Sequence, residues 1–196
     1  MSIAIIKYNA GNIQSVLYAL QRLGAEAMVT DDHDLIRGAS RVIFPGVGNA
    51  AAAMASLKEG KLDKLIKTLT QPVLGICVGL QLLCNHSEEN DTRGLGIFDL
   101  SVKKFISQNN DKVPQVGWNT IENYSSPILK DVIPGAYVYY VHSYYAELGK
   151  ETAATTHYMF PYTAVAQKNN FYGVQFHAEK SAAVGEKILF NFLNID

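Results

Sequence analysis

The sequence predicts a three-layer α/β domain with a mainly parallel central sheet. In the first half, short apolar runs alternate with segments whose apolar residues recur every three or four positions, as in βαβ units. The second half is less regular and contains several further strand candidates. No internal repeat, low-complexity tract or long linker divides the 196 residues, so we expect a single domain over residues 1–196.

The first half predicts alternating strands and helices. Ser2–Lys7 is rich in β-branched residues and predicts a buried strand, and a polar turn separates it from a helical pattern that ends at Gly24. That first helix carries apolar residues at three- and four-residue spacings from Ile13 to Leu23. The later strand predictions are Ala27–Thr30, Arg41–Phe44 and Pro72–Ile76, and the later helix predictions are Ala50–Leu57, Leu62–Leu69 and Val78–Cys84.

The second half predicts more strands than helices. A closing helix is predicted at Val184–Leu193, where apolar residues again follow helical spacing. The strand predictions are Val102–Ile106, Trp118–Ile121, Ala136–His142, Thr163–Gln167 and Gly173–His177.

Composition excludes several classes of protein. A hydrophobic content of 48% with a net charge of −1 is unlike a disordered chain or a basic nucleic-acid-binding surface. No apolar run reaches the roughly 18 residues of a membrane-spanning helix, and the first residues show neither the basic segment nor the cleavage site of a secretory signal, so we expect none. Two cysteines make neither a disulfide framework nor a zinc motif. We therefore expect a cytoplasmic protein without metal or cofactor, and without a nucleic-acid or membrane partner.

Residues 75–79 read Gly-Ile-Cys-Val-Gly, where a predicted strand is followed by a helix. This is the pattern of a nucleophile elbow, with cysteine in place of serine. The turn requires glycine on both sides, because neighbouring backbone comes too close for side chains. Cys77 then lies at the amino end of a helix, where free N–H groups favour a thiolate. Most free cysteines are simply buried hydrophobic residues, which is the role expected of Cys84.

A partner for Cys77 is found near the other end of the chain, where His177 and Glu179 lie two residues apart. An extended backbone would point both side chains to the same side. The carboxylate would fix the tautomer of the imidazole, whose other nitrogen would face the thiol. Such a pair alone is often only a surface pair, but together with the elbow it predicts a Cys–His–Glu triad. His142 lies in an aromatic strand and is predicted to be structural.

Attack of cysteine on a carbonyl creates an oxyanion, which needs hydrogen-bond donors already in place. In a nucleophile elbow, one donor is the N–H of the following residue, here Val78. The glycine-rich stretch Pro45–Gly48 follows an apolar strand and is the candidate for the second donor. It does not fit a phosphate-binding loop, because it lacks the required lysine.

These residues resemble the class I (triad) glutamine amidotransferases over essentially the whole chain. Gly75–Gln81 is similar to the nucleophile motif of the family, and Val174–Glu179 to its His/Glu motif, with Ala178 where proline is usual. Within the family, the chain is most similar to the members that serve imidazole glycerol phosphate synthase. The segments that carry this narrower resemblance are Ala10–Val16, Pro45–Gly48, Val113–Asn119, Tyr139–Tyr144 and Glu179–Ser181.

The resemblance implies a fold with helices on both faces of the sheet and an added antiparallel portion. It implies that Cys77 is the nucleophile, His177 the acid/base and Glu179 its orienter. The N–H groups of Val47 and Val78 would hold the oxyanion. The residues implied to bind glutamine are Gly46, Gly48, Gln81, Ser143 and Tyr144.

The resemblance also implies a heterodimer with HisF, a (βα)8-barrel cyclase subunit. Ammonia released into water becomes ammonium, and the glutaminase takes up almost all of this chain, so we expect direct transfer to another protein. The tyrosine-rich stretch Tyr137–Tyr145 fits either a contact surface or a core strand with polar ends. The candidate docking residues are Asn12, Trp118, Tyr139 and Lys180.

Three residues depart from the pattern of that group. Lys7 and Asn9 stand where aspartate and glycine are common, and Gln115 stands where histidine is common. These departures spare the triad and concern the interface and its coupling. Two alternatives stay open: a glutaminase that serves another synthase, such as a pyridoxal phosphate, anthranilate or unusual sugar pathway, and a catalytically silent binding module. Segments Pro114–Asn119 and Gly11–Val16 argue against the first two of those pathways.

Overall fold

The computed structural model describes residues 1–8, 12–107 and 111–195, which are built around a seven-stranded sheet. Five strands are paired in parallel, and each of the last two is paired antiparallel to the strand before it, which confirms the predicted mainly parallel sheet. Across the sheet, the order is β2 (Ala27–Thr30), β1 (Ile3–Ile6), β3 (Arg41–Gly46), β4 (Val73–Cys77), β13 (Phe171–Val174), β12 (Phe160–Lys168) and β11 (Thr152–Tyr158).

The α-helices of the described residues are α1 (Ile13–Arg22), α2 (His33–Gly38), α3 (Ala50–Glu59), α4 (Leu62–Ile66), α5 (Val78–Leu83) and α6 (Ala182–Leu193). The β1–β2 and β3–β4 connections run in opposite directions along the sheet. Right-handed crossovers therefore place α1 and the α3–α4 pair on opposite faces. Helix α6 is joined to α1 by an ion pair between Arg22 and Glu186.

Strands between residues 86 and 146 form two small additional sheets. One contains β10 (Tyr144–Ala146), β7 (Ser101–Lys104), β5 (His86–Ser87) and β6 (Thr92–Arg93). The other is an antiparallel pair of β8 (Gln115–Thr120) and β9 (Tyr137–His142), which we call the ribbon. One face of β9 is buried and the other is largely exposed, so this strand has a core face and a face that a partner could contact.

The structure differs from the predicted elements in both halves of the chain. The sequence did not predict β5, β6, β10 and β11, nor the six-residue helix α2. The predicted strand Gly173–His177 ends at Val174, because the N–H of His177 donates to the carbonyl of Tyr139 on the ribbon. The predicted helix Leu62–Leu69 ends at Ile66, close to a turn in which the Thr68 hydroxyl donates to a backbone carbonyl.

The parallel strands β3, β4 and β13 are neighbours, so their carboxyl ends meet at one edge of the sheet. Ligands of open α/β sheets bind at this edge, near the point where the strand order reverses, here between β1 and β3. The fold therefore places the segments that follow these strands around one crevice. No helix in the described part of the chain is long and apolar enough to cross a membrane.

Candidate active site

The three predicted chemical segments come together at this edge. Gly46 is paired in register with Cys77, and Val174 with Ile76, so the chain after β13 continues beside the nucleophile candidate. Val47, Cys77 and His177 line the same cavity of about 320 Å³. This volume is within the range of small-molecule sites.

Cys77 forms the predicted elbow. Its φ of 53° lies in the left-handed region, where a residue with a side chain is strained. The flanking glycines are required by packing: a Cβ on Gly79 would lie 2.0 Å from the Phe44 carbonyl oxygen. A Cβ on Gly75 would lie 2.8 Å from the carbonyl carbon of Gly79. The sharp turn thus holds the thiol at the amino end of α5.

His177 is bonded on both sides. Its Nδ1 lies 2.7 Å from Oε1 of Glu179, and its side chain is also hydrogen-bonded to Cys77. Burial alone would lower the pKa of His177, but the interactions with Cys77 and Glu179 outweigh it and raise this pKa above its ordinary value. The imidazole therefore holds its proton at neutral pH. Glu179 lies in a 3₁₀ turn, Ala178–Lys180, rather than on the extended backbone assumed from the sequence.

Two residues that the sequence analysis did not assign to the triad contact it. The side-chain amide of Gln175 donates to the Cys77 sulfur at 3.8 Å. The amide of Asn12, predicted as a docking residue, donates to Oε1 of Glu179. The position of Gln175, two residues before His177, was an available signal, because alternate residues of a strand share a side.

The two predicted oxyanion donors lie on facing segments. Val47 follows β3, and Val78 begins α5; both line the cavity that contains Cys77. A Cβ on Gly46 would lie 2.5 Å from the nitrogen of Gly79, so glycine is needed for this approach. Gly48 has a φ of +88°, which turns the chain after Val47.

The comparisons with known proteins agree with this geometry. The sequence profile of the family "Glutamine amidotransferase class-I" matches residues 4–195. The chain belongs to this family. It is 51% identical to the "Imidazole glycerol phosphate synthase subunit HisH" of Bacteroides thetaiotaomicron, with all of both chains covered. It is 45% identical to a Shewanella sediminis protein of the same name, over 100% of this chain and 91% of that protein.

Solved structures share the amidotransferase fold. A putative GMP synthase component from Thermoplasma acidophilum superimposes with a TM-score of 0.74 at 22% identity, over 98% of this chain and 92% of that one. PurLQS from Thermotoga maritima gives a TM-score of 0.71 at 14% identity, over 98% and 97%. At these identities, the likeness supports the fold alone.

In this amidotransferase, four of the five residues predicted to bind glutamine line the cavity: Gly48, Gln81, Ser143 and Tyr144. Gly46 is not among the lining residues, because it packs against the start of α5. The side-chain amide of Gln81 donates to the carbonyl of Tyr144 at 2.8 Å. This bond connects α5 to β10 of the four-stranded sheet.

Glu89 also lines the cavity of this amidotransferase and was missed from the sequence. Its Oε2 accepts the backbone N–H of Ala50 at 2.7 Å, so the carboxylate is fixed beside the first turn of α3. A carboxylate in this position can hold the amino group of an amino-acid substrate. It begins the 3₁₀ turn Glu89–Asp91, eight residues after the nucleophile motif, and no pattern in the sequence marked it.

His142 and Gln115 both have structural contacts. His142 is buried among aromatic rings, its Nδ1 lies 2.7 Å from the Tyr144 carbonyl, and burial lowers its pKa to about 4. This supports its predicted structural role, although its ring also lines the cavity. Gln115 is buried and accepts a hydrogen bond from the Tyr162 hydroxyl. Gln115, which stands where histidine is common in the group, therefore lies in the core rather than at an interface.

The four predicted docking residues are connected to one segment, His177–Ser181. Asn12 bonds Glu179, and Lys180 is an exposed member of the segment. The backbone of Tyr139 accepts from the His177 N–H and donates to the Ser181 hydroxyl. Trp118, which is 52% exposed, packs on the ring of Tyr139 at 5.9 Å between centroids. Of the other two departures, Lys7 is exposed and Asn9 lies outside the described residues.

Proposed function

We propose that this chain hydrolyses L-glutamine to glutamate and ammonia at Cys77, as the glutaminase subunit of imidazole glycerol phosphate synthase. The observation that carries the activity is the hydrogen-bonded series Cys77–His177–Glu179 at a strained elbow inside a cavity. The choice of synthase is supported by the relatives named HisH, which match over the full length of the chain.

The mechanism follows from the protonated state of His177. The thiolate of Cys77 attacks the side-chain amide carbon of glutamine, and the N–H groups of Val47 and Val78 stabilise the oxyanion. His177 gives its proton to the departing nitrogen, which leaves as ammonia, and a glutamyl thioester is formed. His177 then takes a proton from water, which attacks the thioester; the Cys77 thiolate is expelled, and glutamate leaves after its new carboxyl group gives a proton to solvent. Glu179 keeps the imidazole oriented in both steps.

The ribbon is the proposed docking site for the cyclase subunit HisF, which would use the ammonia to form imidazole glycerol phosphate. Val116, Trp118 and Tyr137 form an exposed apolar surface on it. Aromatic residues of this kind are favoured at interfaces. Because Tyr139 is bonded to both ends of the His177–Ser181 segment, contact at the ribbon can shift the base. Docking would thus be coupled to hydrolysis.

The test is ammonia release from glutamine by the chain alone, with HisF, and with HisF plus its ribonucleotide ligand. We expect low turnover alone and a marked rise in the complete mixture, together with formation of imidazole glycerol phosphate. Equal turnover with and without the cyclase would contradict the coupling. Stimulation by the synthase of another pathway, but not by HisF, would favour the glutaminase alternative described above.

A further inference from the structure

Tyr8 contacts the segment that leads to the proposed oxyanion donor. It follows β1, is 8% exposed, and its ring packs on Phe44 at 5.3 Å between centroids. Its hydroxyl donates to the carbonyl of Pro45 at 2.5 Å. Pro45 is two residues before Val47, so this bond fixes the peptide next to the one that carries the Val47 N–H.

The backbone ladder between β1 and β3 ends before this point. The β1–β3 pairing stops at Ile5 and Ile43, whereas the β3–β4 pairing continues to Gly46 and Cys77. On the β1 side, the hydroxyl of Tyr8 therefore holds a carbonyl that lies beyond the end of the ladder. Burial raises the pKa of Tyr8 far above its ordinary value, which keeps the hydroxyl protonated as a donor.

The same segment is held at two other places. Gly46 is packed so closely on Val78 that a Cβ there would lie 2.8 Å from the Val78 Cβ. Downstream, the N–H of Ala50 donates to Glu89. The direction of the Val47 N–H is set by these contacts together, and Tyr8 supplies the upstream one.

We propose that Tyr8 is a positioning residue for the oxyanion-binding segment Pro45–Gly48, through its hydrogen bond to the Pro45 carbonyl. This inference rests on the proposed function, because it concerns the oxyanion of glutamine hydrolysis. Tyr8 acts through the backbone and not on the substrate itself. Its loss should therefore reduce stabilisation of the transition state and leave binding of glutamine nearly unchanged.

The first experiment measures kcat and KM for glutamine with Tyr8→Phe in the assembled complex. Removal of an oxyanion donor costs about 10²–10³-fold in kcat, and we expect about 10-fold for a donor that is displaced but still present. KM should change less than about two-fold, because the oxyanion contact is made only in the transition state and the groups that bind glutamine are untouched. Alkylation of Cys77 by iodoacetamide, which forms no oxyanion, should keep its rate.

Two variants control this experiment. Tyr172→Phe changes a buried tyrosine of β13 that packs on Phe192, and it should leave kcat unchanged. Para-aminophenylalanine at position 8 keeps a donor at the end of the ring and should restore kcat. The inference is overturned if Tyr8→Phe keeps the wild-type kcat, if its kcat and alkylation rate fall in proportion, or if the amino variant stays as slow as the Phe variant. A wild-type complex that releases no ammonia would instead contradict the proposed function.

Discussion

Cys77 and His177 reach the same cavity from regions that are built in different ways. Residues 73–84, which carry the nucleophile, are buried throughout between parallel strands and helices. The base lies in a short turn after β13, and its backbone is bonded to Tyr139 on the ribbon. The ribbon exposes Trp118 and Tyr137 on its outer face. The nucleophile is thus held by the core, whereas the base is held partly by a surface that a partner can reach.

This difference suggests how hydrolysis is controlled. Close packing leaves the elbow few alternative positions, so Cys77 is fixed before any partner binds. The segment His177–Ser181 is held by hydrogen bonds to β9 and to Asn12, which a docked cyclase can strengthen or shift.

Removal of the nucleophile should have the largest effect. We expect Cys77→Ala to reduce glutamine-dependent ammonia release at least about 10³-fold, because no other group forms the thioester. Use of externally added ammonium by the complex should persist. Cys84→Ala, which truncates a buried cysteine seven residues away, is the matched control and should retain hydrolysis. Full glutaminase activity of Cys77→Ala would show that the nucleophile is assigned wrongly.

A change in the packing of the elbow should mainly lower the stability of the protein. In Gly79→Ala, the added Cβ meets the Phe44 carbonyl oxygen at 2.0 Å, and we expect a loss of about 3 kcal/mol in the free energy of unfolding. Gly38→Ala is the control, because a Cβ there meets nothing within 4 Å. Chemical denaturation measures both. Equal stability of the two variants would contradict the close packing of the elbow that carries Cys77.

A change at the base should alter the pH dependence. Glu179 is one of the groups that raise the pKa of His177, so Glu179→Gln should lower it. Because the proton on His177 is needed for the leaving nitrogen and is lost as the pH rises through this pKa, the alkaline decline of kcat should move to lower pH. We expect kcat at neutral pH to fall about 10²-fold. An unchanged alkaline decline of kcat would contradict the role of Glu179. Glu186→Gln, at a partly exposed position of α6 away from the cavity, is the control.

A change at the ribbon should affect only the complex. We expect Trp118→Ala to weaken binding of the cyclase about 10-fold, as for a moderate hot spot, with the same basal glutaminase rate and unfolding midpoint. Phe190→Ala removes an equally exposed aromatic residue from α6 and should bind normally. Calorimetric titration with HisF measures both affinities. If Trp118→Ala binds as tightly as the wild type, the docking surface lies elsewhere.

The same two regions differ in how well the sequence predicted them. Strands β1 to β4 were placed to within about two residues, because buried parallel strands form short apolar runs bounded by turns. The elbow was recognisable because glycine, cysteine and glycine are close together in sequence. By contrast, β5, β6 and β10 are only two or three residues long, too short for any periodicity.

The parts of the site missed from the sequence depend on tertiary contacts. Glu89 reaches the cavity only because the small sheet packs beside α3, and Asn12 meets Glu179 across 167 positions of sequence. Tyr8 likewise contacts Pro45 from a neighbouring strand. No local pattern encodes such pairs, since each partner is an ordinary residue in its own segment.

The most direct test of the account is to trap the acyl-enzyme. The complex is mixed with glutamine, quenched in acid within one turnover and digested for mass spectrometry. We expect a glutamyl group on the peptide that contains Cys77, and less of it in Glu179→Gln. A glutamyl group on Cys84, or ammonia release with no modified cysteine, would contradict it.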